Sequence, residues 1–392
     1  MALKRAARGS VPPFIVMDVM RAANERAAAG EDIVHLEVGQ PATPAPGAVL
    51  AAATAALRSD PLGYTDATGI ADLRLRIARH YGEAYGIDVD PGRIFVTTGS
   101  SGGFILAFLA AFDPGDRVAL AEPGYPAYRN ILTALGIEAV CIETGPETRF
   151  QPTPGLLEEH GRLDGLIVAS PANPTGTMLD RDALGGLVDY CERQEIRLVS
   201  DEIYHGIVYR GAADSALRFT DRAVIVNSFS KYFSMTGWRI GWLVVPPDLD
   251  RSIECLAQNL FISPPTLAQH AALAAFDCAE ELDGNVARYA ENREILLEGL
   301  PRVGLTRFAP ADGAFYLYAD VGAFGMDSRE LSNRLLAEAG VAVAPGLDFD
   351  RRCGGGYIRI SFAGSQQDMR EALSRLDRWV AANRPVDAAR AI

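Results

Sequence analysis

A lysine closes the apolar run AVIVNSFSK at Lys231. Such a lysine is either a surface amine at a strand end or a buried amine whose pKa falls because water is lost. Apolar residues flank it on both sides, AVIV (223–226) before and WRIGW (238–242) after. That favours the buried amine, which at neutral pH can condense with a carbonyl to form a Schiff base. Two serines, Ser228 and Ser230, stand beside it, and Arg239 opens the next apolar run, where it can return as a phosphate ligand.

Gly99-Ser100-Ser101-Gly102-Gly103 lies between GRIFVTT (92–98) and FILAFLAAF (104–112). Its G-x-S-x-G spacing at a strand-to-helix junction fits a hydrolase nucleophile elbow with Ser101 as nucleophile. The same small residues fit a loop whose amides and hydroxyls hold a phosphate at a helix N-terminus. A tight turn is the plain alternative. A hydrolase also needs an acid and then a histidine near the chain end. The last histidine is His270, inside the helical pattern TLAQHAALAAF, so that reading lacks a base. Asp201 and Tyr204 end the run RLVSDEIY. An acid in that place is commonly a helix cap. Beside a carbonyl-binding lysine it has another task, keeping a pyridine nitrogen protonated so that the ring accepts electrons. Asn173 in NPTG is by itself a turn signal. Tyr125 in EPGYPAY is either a ring-stacking aromatic or a loop residue between prolines.

Elements must position these residues, and the chain is long enough for two or three domains at 392 residues. Hydrophobic residues make up 48% and charged residues 22%, an ordinary folded composition. A net charge of −13 disfavours nucleic acid, and the one locally basic stretch (Lys4, Arg5, Arg8) is too short for a binding arm. The five cysteines and five histidines are scattered without zinc spacing, so no metal site and mostly reduced thiols are expected. No secretory signal or membrane-length apolar run occurs, which points to the cytoplasm. Strands are expected at 92–98, 117–122, 138–144, 165–170, 197–202, 223–230 and 238–246, with helices between several, such as 181–194. Short, nearly all-apolar strands alternating with helices predict an α/β fold: a large domain with a mostly parallel sheet sandwiched by helices. Ligands bind at the carboxyl ends of such strands. Beyond residue 285 a helix (285–300), strands at 313–321, 341–346 and 357–363, a helix near 327–339 and a final helix from Ser365 predict a smaller α/β domain. Residues 1–45 read as an extended arm broken by Pro12, Pro13, Pro41 and Pro44. The expected division is 1–45 as an arm joining the small domain, 46–285 as the large domain and 286–392 as the small C-terminal one.

Taken in order, TTGSSGG, EPGYPAY, SPANPTG, SDEIY, SFSK, MTGWRIGW, GAFYLY and YIRIS resemble the pyridoxal-phosphate aminotransferases of class I and II, which share the aspartate aminotransferase fold (fold type I). The resemblance runs from the HLEVGQP arm almost to the end of the chain. It implies that Lys231 carries pyridoxal 5'-phosphate as an aldimine and serves as proton-transfer base. Asp201 would face the ring nitrogen, Tyr204 and Asn173 the phenolic oxygen, and Tyr125 would stack on the ring. Gly99, Ser100, Ser101, Ser228 and Arg239 would form the phosphate cup, with Tyr64 supplied by the partner subunit of a homodimer. Arg359 would pair with the substrate α-carboxylate, with Asn173 and the backbone of Gly39 nearby. The implied activity is ping-pong transfer of an amino group from an amino acid to a 2-oxo acid. A carbon–sulfur β-lyase would use the same Lys231 and Asp201. A non-catalytic regulator would carry a DNA-binding segment that the 45-residue arm is too short to be. Relatives often carry Ala where this chain has Gly103, which predicts slightly looser packing. An apolar pocket from Phe14, Ile15 and Val16, with Phe261 and Ile262, points to an uncharged or aromatic substrate side chain. His205 is expected to be solvated.

Overall fold

A computed structural model describes residues 3–383. Its strands in chain order are β1 (Val34–His35), β2 (Ile94–Thr97), β3 (Arg117–Glu122), β4 (Glu138–Glu143), β5 (Gly165–Ala169), β6 (Arg197–Asp201), β7 (Val224–Ser228), β8 (Gly241–Val244), β9 (Tyr316–Asp320), β10 (Val341–Ala342), β11 (Ala344–Pro345) and β12 (Tyr357–Ser361). The helices are α1 (Ile15–Ala28), α2 (Gly47–Ser59), α3 (Ala71–Tyr85), α4 (Gly99–Ala111), α5 (Pro126–Leu135), α6 (Pro154–Glu158), α7 (Arg181–Arg193), α8 (Asp250–Leu260), α9 (Thr266–Ala275), α10 (Ala279–Gly299), α11 (Ser328–Arg334) and α12 (Gln366–Asn383).

Seven strands form one sheet in the order β2-β8-β7-β6-β5-β3-β4. Strand β8 runs antiparallel to both neighbours, and the other pairings are parallel. Successive side chains alternate between the faces, and both faces are covered. Ile94, Val96, Trp242 and Val244 pack into one apolar cluster, while Phe95, Val226 and Leu243 pack into the other. This two-sided burial explains why the strands read as unbroken apolar runs. Because β2 and the parallel strands point the same way, the segments that follow β2, β3, β5, β6 and β7 all emerge along one edge.

A second sheet, β11-β12-β9, is antiparallel and packs with α10 and α12 in a separate cluster around Phe315, Leu317, Ile358 and Met369. The run 341–346 is two strands rather than one. Strand β10 pairs with β1 and β11 pairs with β12, so the chain changes sheets at Val343. Helix α10, with 21 residues, runs through position 285 without a break.

The N-terminal segment departs from expectation. Residues 15–28 form a 14-residue helix, not an extended arm. The prolines flank it: Pro12 and Pro13 precede its first turn, where a missing N–H costs nothing, and Pro41 and Pro44 lie beyond its end. Val16, Val19 and Ala23 recur at helical spacing, and Ala23 with Val19 packs against Leu336 and Ala342. Gly103 also differs. A β-carbon there would lie 3.1 Å from Leu243 Cδ2, so α4 sits tight on the sheet and the glycine leaves no slack.

Candidate active site

The chain segments beyond the strand ends converge on one cavity of about 240 Å³. Lys231 reaches into it from the turn after β7, and its Nζ donates to the Gly39 carbonyl at 2.7 Å. Burial, followed by the guanidinium groups of Arg359 and Arg239, pushes its amine down to about 8 against the opposing pull of Asp201. Asp201 closes β6. Its Oδ1 accepts from the Ile203 amide at 3.0 Å, and its Oδ2 accepts from the Tyr128 hydroxyl. Burial raises this carboxyl to about 6, while the bonds from Tyr128 and Ile203 and the charge of Lys231 hold it from going higher.

The next turn carries Tyr204, whose hydroxyl lies 2.6 Å from that of Tyr316 on β9. Gly39 must be glycine there: a β-carbon would lie 1.7 Å from the Tyr316 hydroxyl oxygen. Arg359 comes from β12 and is buried. Its Nη1 donates to Asn173 Oδ1 at 2.9 Å and its Nη2 to the Glu37 carbonyl. Its guanidinium carbon lies 4.4 Å from the Tyr316 ring centroid and 4.7 Å from that of Phe349, while its Nε has no partner. A buried guanidinium with an unspent donor is built to receive an anion.

At another wall, Ser100 and Ser101 in the first turn of α4 line the cavity together with Thr236 and Arg239. Gly99 begins that helix at φ +67, and a β-carbon on it would lie 2.4 Å from Arg239 Nη2. Only glycine lets the arginine approach this closely. Tyr125, at the start of α5, lines the cavity, and burial pushes its hydroxyl up to about 12.

Not every expected residue is at the surface of the cavity. Ser228 lies behind the wall, bonded at 2.8 Å to the hydroxyl of Ser230, which does line it. Tyr64 is 84% exposed and outside this protomer's cavity. In the apolar wall, Phe14 and Val16 are joined by Met17 and Val38, whereas Ile15, Phe261 and Ile262 are absent. Ile262 is instead half exposed and Phe261 packs beside α4 and α8. His205 is buried rather than solvated, its ring nitrogens 2.8 Å from the Tyr85 hydroxyl and 2.9 Å from the Ser170 carbonyl. Burial drives it down to about 4, so it is neutral. Among the described residues no histidine lines the cavity, and His270 lies 3.4 Å from Asp60, which leaves Ser101 without a base and removes the hydrolase reading. Tyr128, Tyr316, Ser230 and Glu37 went unassigned in the sequence. Tyr128 and Ser230 stood inside quoted motifs, one turn and one residue from assigned positions, and that spacing was the available signal.

A helix start with two serines and an arginine suits a phosphate. A buried carboxylate suits a protonated ring nitrogen, and a depressed amine suits a carbonyl. Pyridoxal phosphate carries all three groups, and the residues present fit it.

The sequence matches the family described as aminotransferase class I and II over residues 31–376. It is 54% identical to a valine–pyruvate aminotransferase of Mycobacterium tuberculosis, covering 96% of this chain and 98% of that protein. The fold superposes on a crystal structure of an aminotransferase from Mycobacterium tuberculosis with a TM-score of 0.96, at 53% identity, over 97% of this chain and all of that one. An aspartate aminotransferase of Thermus thermophilus solved with maleate gives a TM-score of 0.91 at 34% identity, over 96% of this chain and all of that one. The chain belongs to the class I and II aminotransferases, with the aspartate aminotransferase fold. It is thus a pyridoxal-phosphate-dependent enzyme that transfers amino groups between amino acids and oxo acids. Among its described residues no helix is long and apolar enough to cross a membrane.

Proposed function

We propose that this enzyme takes amino donors with uncharged, chiefly apolar side chains and passes the amino group to a small 2-oxo acid. The observation that carries this reading is the make-up of the cavity wall. Phe14, Val16, Met17 and Val38 line one side, and the lining cations of this protomer are Lys231, Arg239 and Arg359. With Arg239 at the anion cup and Arg359 on the α-carboxylate, neither is left for a second carboxylate. The name of the Mycobacterium tuberculosis relative, a valine–pyruvate aminotransferase, supports the same choice.

Pyridoxal phosphate, when bound, supplies a carbonyl for amines and an electron sink for bond breaking at the amino acid's α-carbon. The chain's own residues do the rest. Gly99, Ser100, Ser101 and Arg239 hold the phosphate, with Ser228 supporting through Ser230. The Asp201 carboxylate would accept from the protonated ring nitrogen, and the donors Ile203 N and Tyr128 hydroxyl fix its orientation. Tyr204 and Asn173 donate towards the ring oxygen, and Tyr125 orients the ring by stacking. Arg359 binds the α-carboxylate as a fork, which fixes the side chain towards the apolar wall. Lys231, its amine held down to about 8, would take the proton from the substrate's α-carbon as free amine and, as ammonium, deliver it to the cofactor's C4′, which leaves the amine free again. Ping-pong kinetics follow.

The working unit is a homodimer acting in the cytoplasm; the homodimer is supported by Tyr64, a large exposed aromatic with no task in its own protomer. The chain divides into an N-terminal arm to about residue 45, a cofactor-binding part to about 285 and a C-terminal part. This division is supported by the separate apolar clusters of the two larger sheets. Steady-state rates with valine, alanine, phenylalanine and aspartate as donors and 2-oxobutyrate, a small monocarboxylic 2-oxo acid, as acceptor test the reading. It expects the apolar donors to lead. A clear preference for aspartate, or pyruvate released from cystathionine without any oxo-acid acceptor, would overturn it.

A further inference from the structure

The first turn of α1 supplies the apolar wall, yet nothing local secures it. Phe14 stands at the cap position and has no side-chain acceptor. The two amides that open the helix are instead taken by a carboxylate from the far end of the chain. Ile15 N donates to Asp348 Oδ1 at 3.1 Å and Val16 N to Asp348 Oδ2 at 2.9 Å, across 333 and 332 residues. Asp348 is 3% exposed. A carboxylate against a helix N-terminus also meets the positive end of the helix dipole.

The carboxylate is itself anchored to the substrate-binding side. The Asp348 carbonyl accepts from Arg129 Nη2 at 3.3 Å, and Arg129 Nη1 pairs with buried Glu122 at 2.7 Å. The carbonyl of the next residue, Phe349, accepts from Gly124 N at 3.0 Å. The Phe349 ring lies 4.7 Å from the guanidinium carbon of Arg359. One short segment therefore touches both the arginine assigned to the α-carboxylate and the turn that forms the wall for the side chain. Further along, α1 is held separately, by Ala23 against Leu336 and Ala342. Loss of the carboxylate would free the first turn and leave the remainder of the helix seated.

We propose that Asp348 is a positioning residue for donor selection, clamping the first turn of α1 so that the apolar wall stands at a set depth from Arg359. The inference rests on the donor class proposed above. On this proposal a branched side chain would touch the wall and a methyl side chain would not. The clamp therefore acts on the difference between donors rather than on the chemistry.

Asp348→Ala and Asp348→Asn in the cofactor-loaded enzyme test it, with valine and alanine as donors and 2-oxobutyrate as acceptor for both. For Asp348→Ala the valine KM is expected to rise about tenfold, the size that follows from losing a helix cap. The alanine KM, both kcat values and the visible band of the bound cofactor should stay within about twofold, since Arg359 keeps its bonds to Asn173 and the Glu37 carbonyl and Lys231 and Asp201 are not in contact with the clamp. Asp348→Asn keeps one acceptor oxygen and should recover part of the valine KM. An equal rise for both donors, or an unchanged valine-to-alanine ratio in a wild type that does prefer valine, overturns the clamp alone. Loss of soluble, cofactor-loaded protein in both variants overturns it too, since Asp348 would then hold the fold rather than the wall. A wild type that does not favour apolar donors takes down the donor class and the clamp together.

Discussion

The floor of the cavity and its roof are held in different ways. On the floor, Asp201 ends a strand of one sheet, and Tyr125, Asn173 and Lys231 each follow a strand of it by a few residues; that sheet is apolar on both faces. Their positions are set by the core itself. On the roof, Phe14, Val16 and Met17 belong to a single helical turn whose amides depend on a carboxylate more than three hundred residues away. The difference separates two tasks. Chemistry is assigned to groups that the core makes rigid, and selection to a wall that rests on a few polar contacts. Changes at the floor should therefore damage every substrate alike, and changes at the roof should redistribute preference.

The largest expected effect is at the floor. Lys231→Ala removes both nucleophile and base, and multiple-turnover transamination should fall by about 10⁴-fold or more with every donor. Turnover near the wild-type rate would end the assignment. Arg359→Leu leaves Asn173 and the Glu37 carbonyl without their donor and should cut kcat/KM roughly 10²–10³-fold, the cost of breaking a buried charged contact. The loss should be equal for valine and alanine, and a selective loss would blur the line between floor and roof.

Phe14→Ala sharpens the comparison from the other side. Trimming the wall should lower kcat/KM for valine or phenylalanine by about tenfold and that for alanine little, as expected for a hydrophobic subsite.

The motifs made the floor legible because each lies next to a strand end in sequence, so that order and spacing alone carry the arrangement. Lys231, Asp201, Asn173 and Tyr125 are all of this kind, and Arg359 stands within a short apolar strand of its own. The roof was not legible for a physical reason. A helix start is normally marked by Ser, Thr, Asp or Asn before the apolar repeat, and at α1 that place holds Phe14. The cap comes from Asp348, which leaves no local signature, and the prolines on both sides resemble an extended arm. The break of 341–346 into two strands is similar: the apolar run is continuous, and only the change of partner from β1 to β12 divides it. His205 reads as solvated in the sequence because its burial depends on Tyr85 and the Ser170 carbonyl, neither adjacent to it.

Two smaller effects follow. An ordinary lysine has a pKa of 10.5, and Lys231 stands at about 8. Below that value the amine is protonated and inert. Uptake of pyridoxal phosphate by the cofactor-free protein should therefore accelerate about tenfold per pH unit as the pH rises towards 8 and then level off. An uptake rate still climbing steeply at pH 10 would mean an ordinary, solvated lysine. Gly103→Ala is the mildest change. The gain in helix propensity is opposed by the contact with Leu243, and the shift in unfolding free energy by denaturant titration should stay below about 1 kcal/mol.

On the proposed division of labour, a rigid floor does the chemistry and a roof of α1 residues chooses the donor. That division is tested most directly by the visible absorbance of the purified, cofactor-loaded enzyme, titrated with single amino acids. The band should collapse at lower concentrations of valine than of alanine or aspartate, and a 2-oxo acid should restore it. In Phe14→Ala the same band should be present, with the valine midpoint moved towards that of alanine. Collapse at the lowest concentrations with aspartate, or an unshifted valine midpoint in Phe14→Ala, would contradict the account.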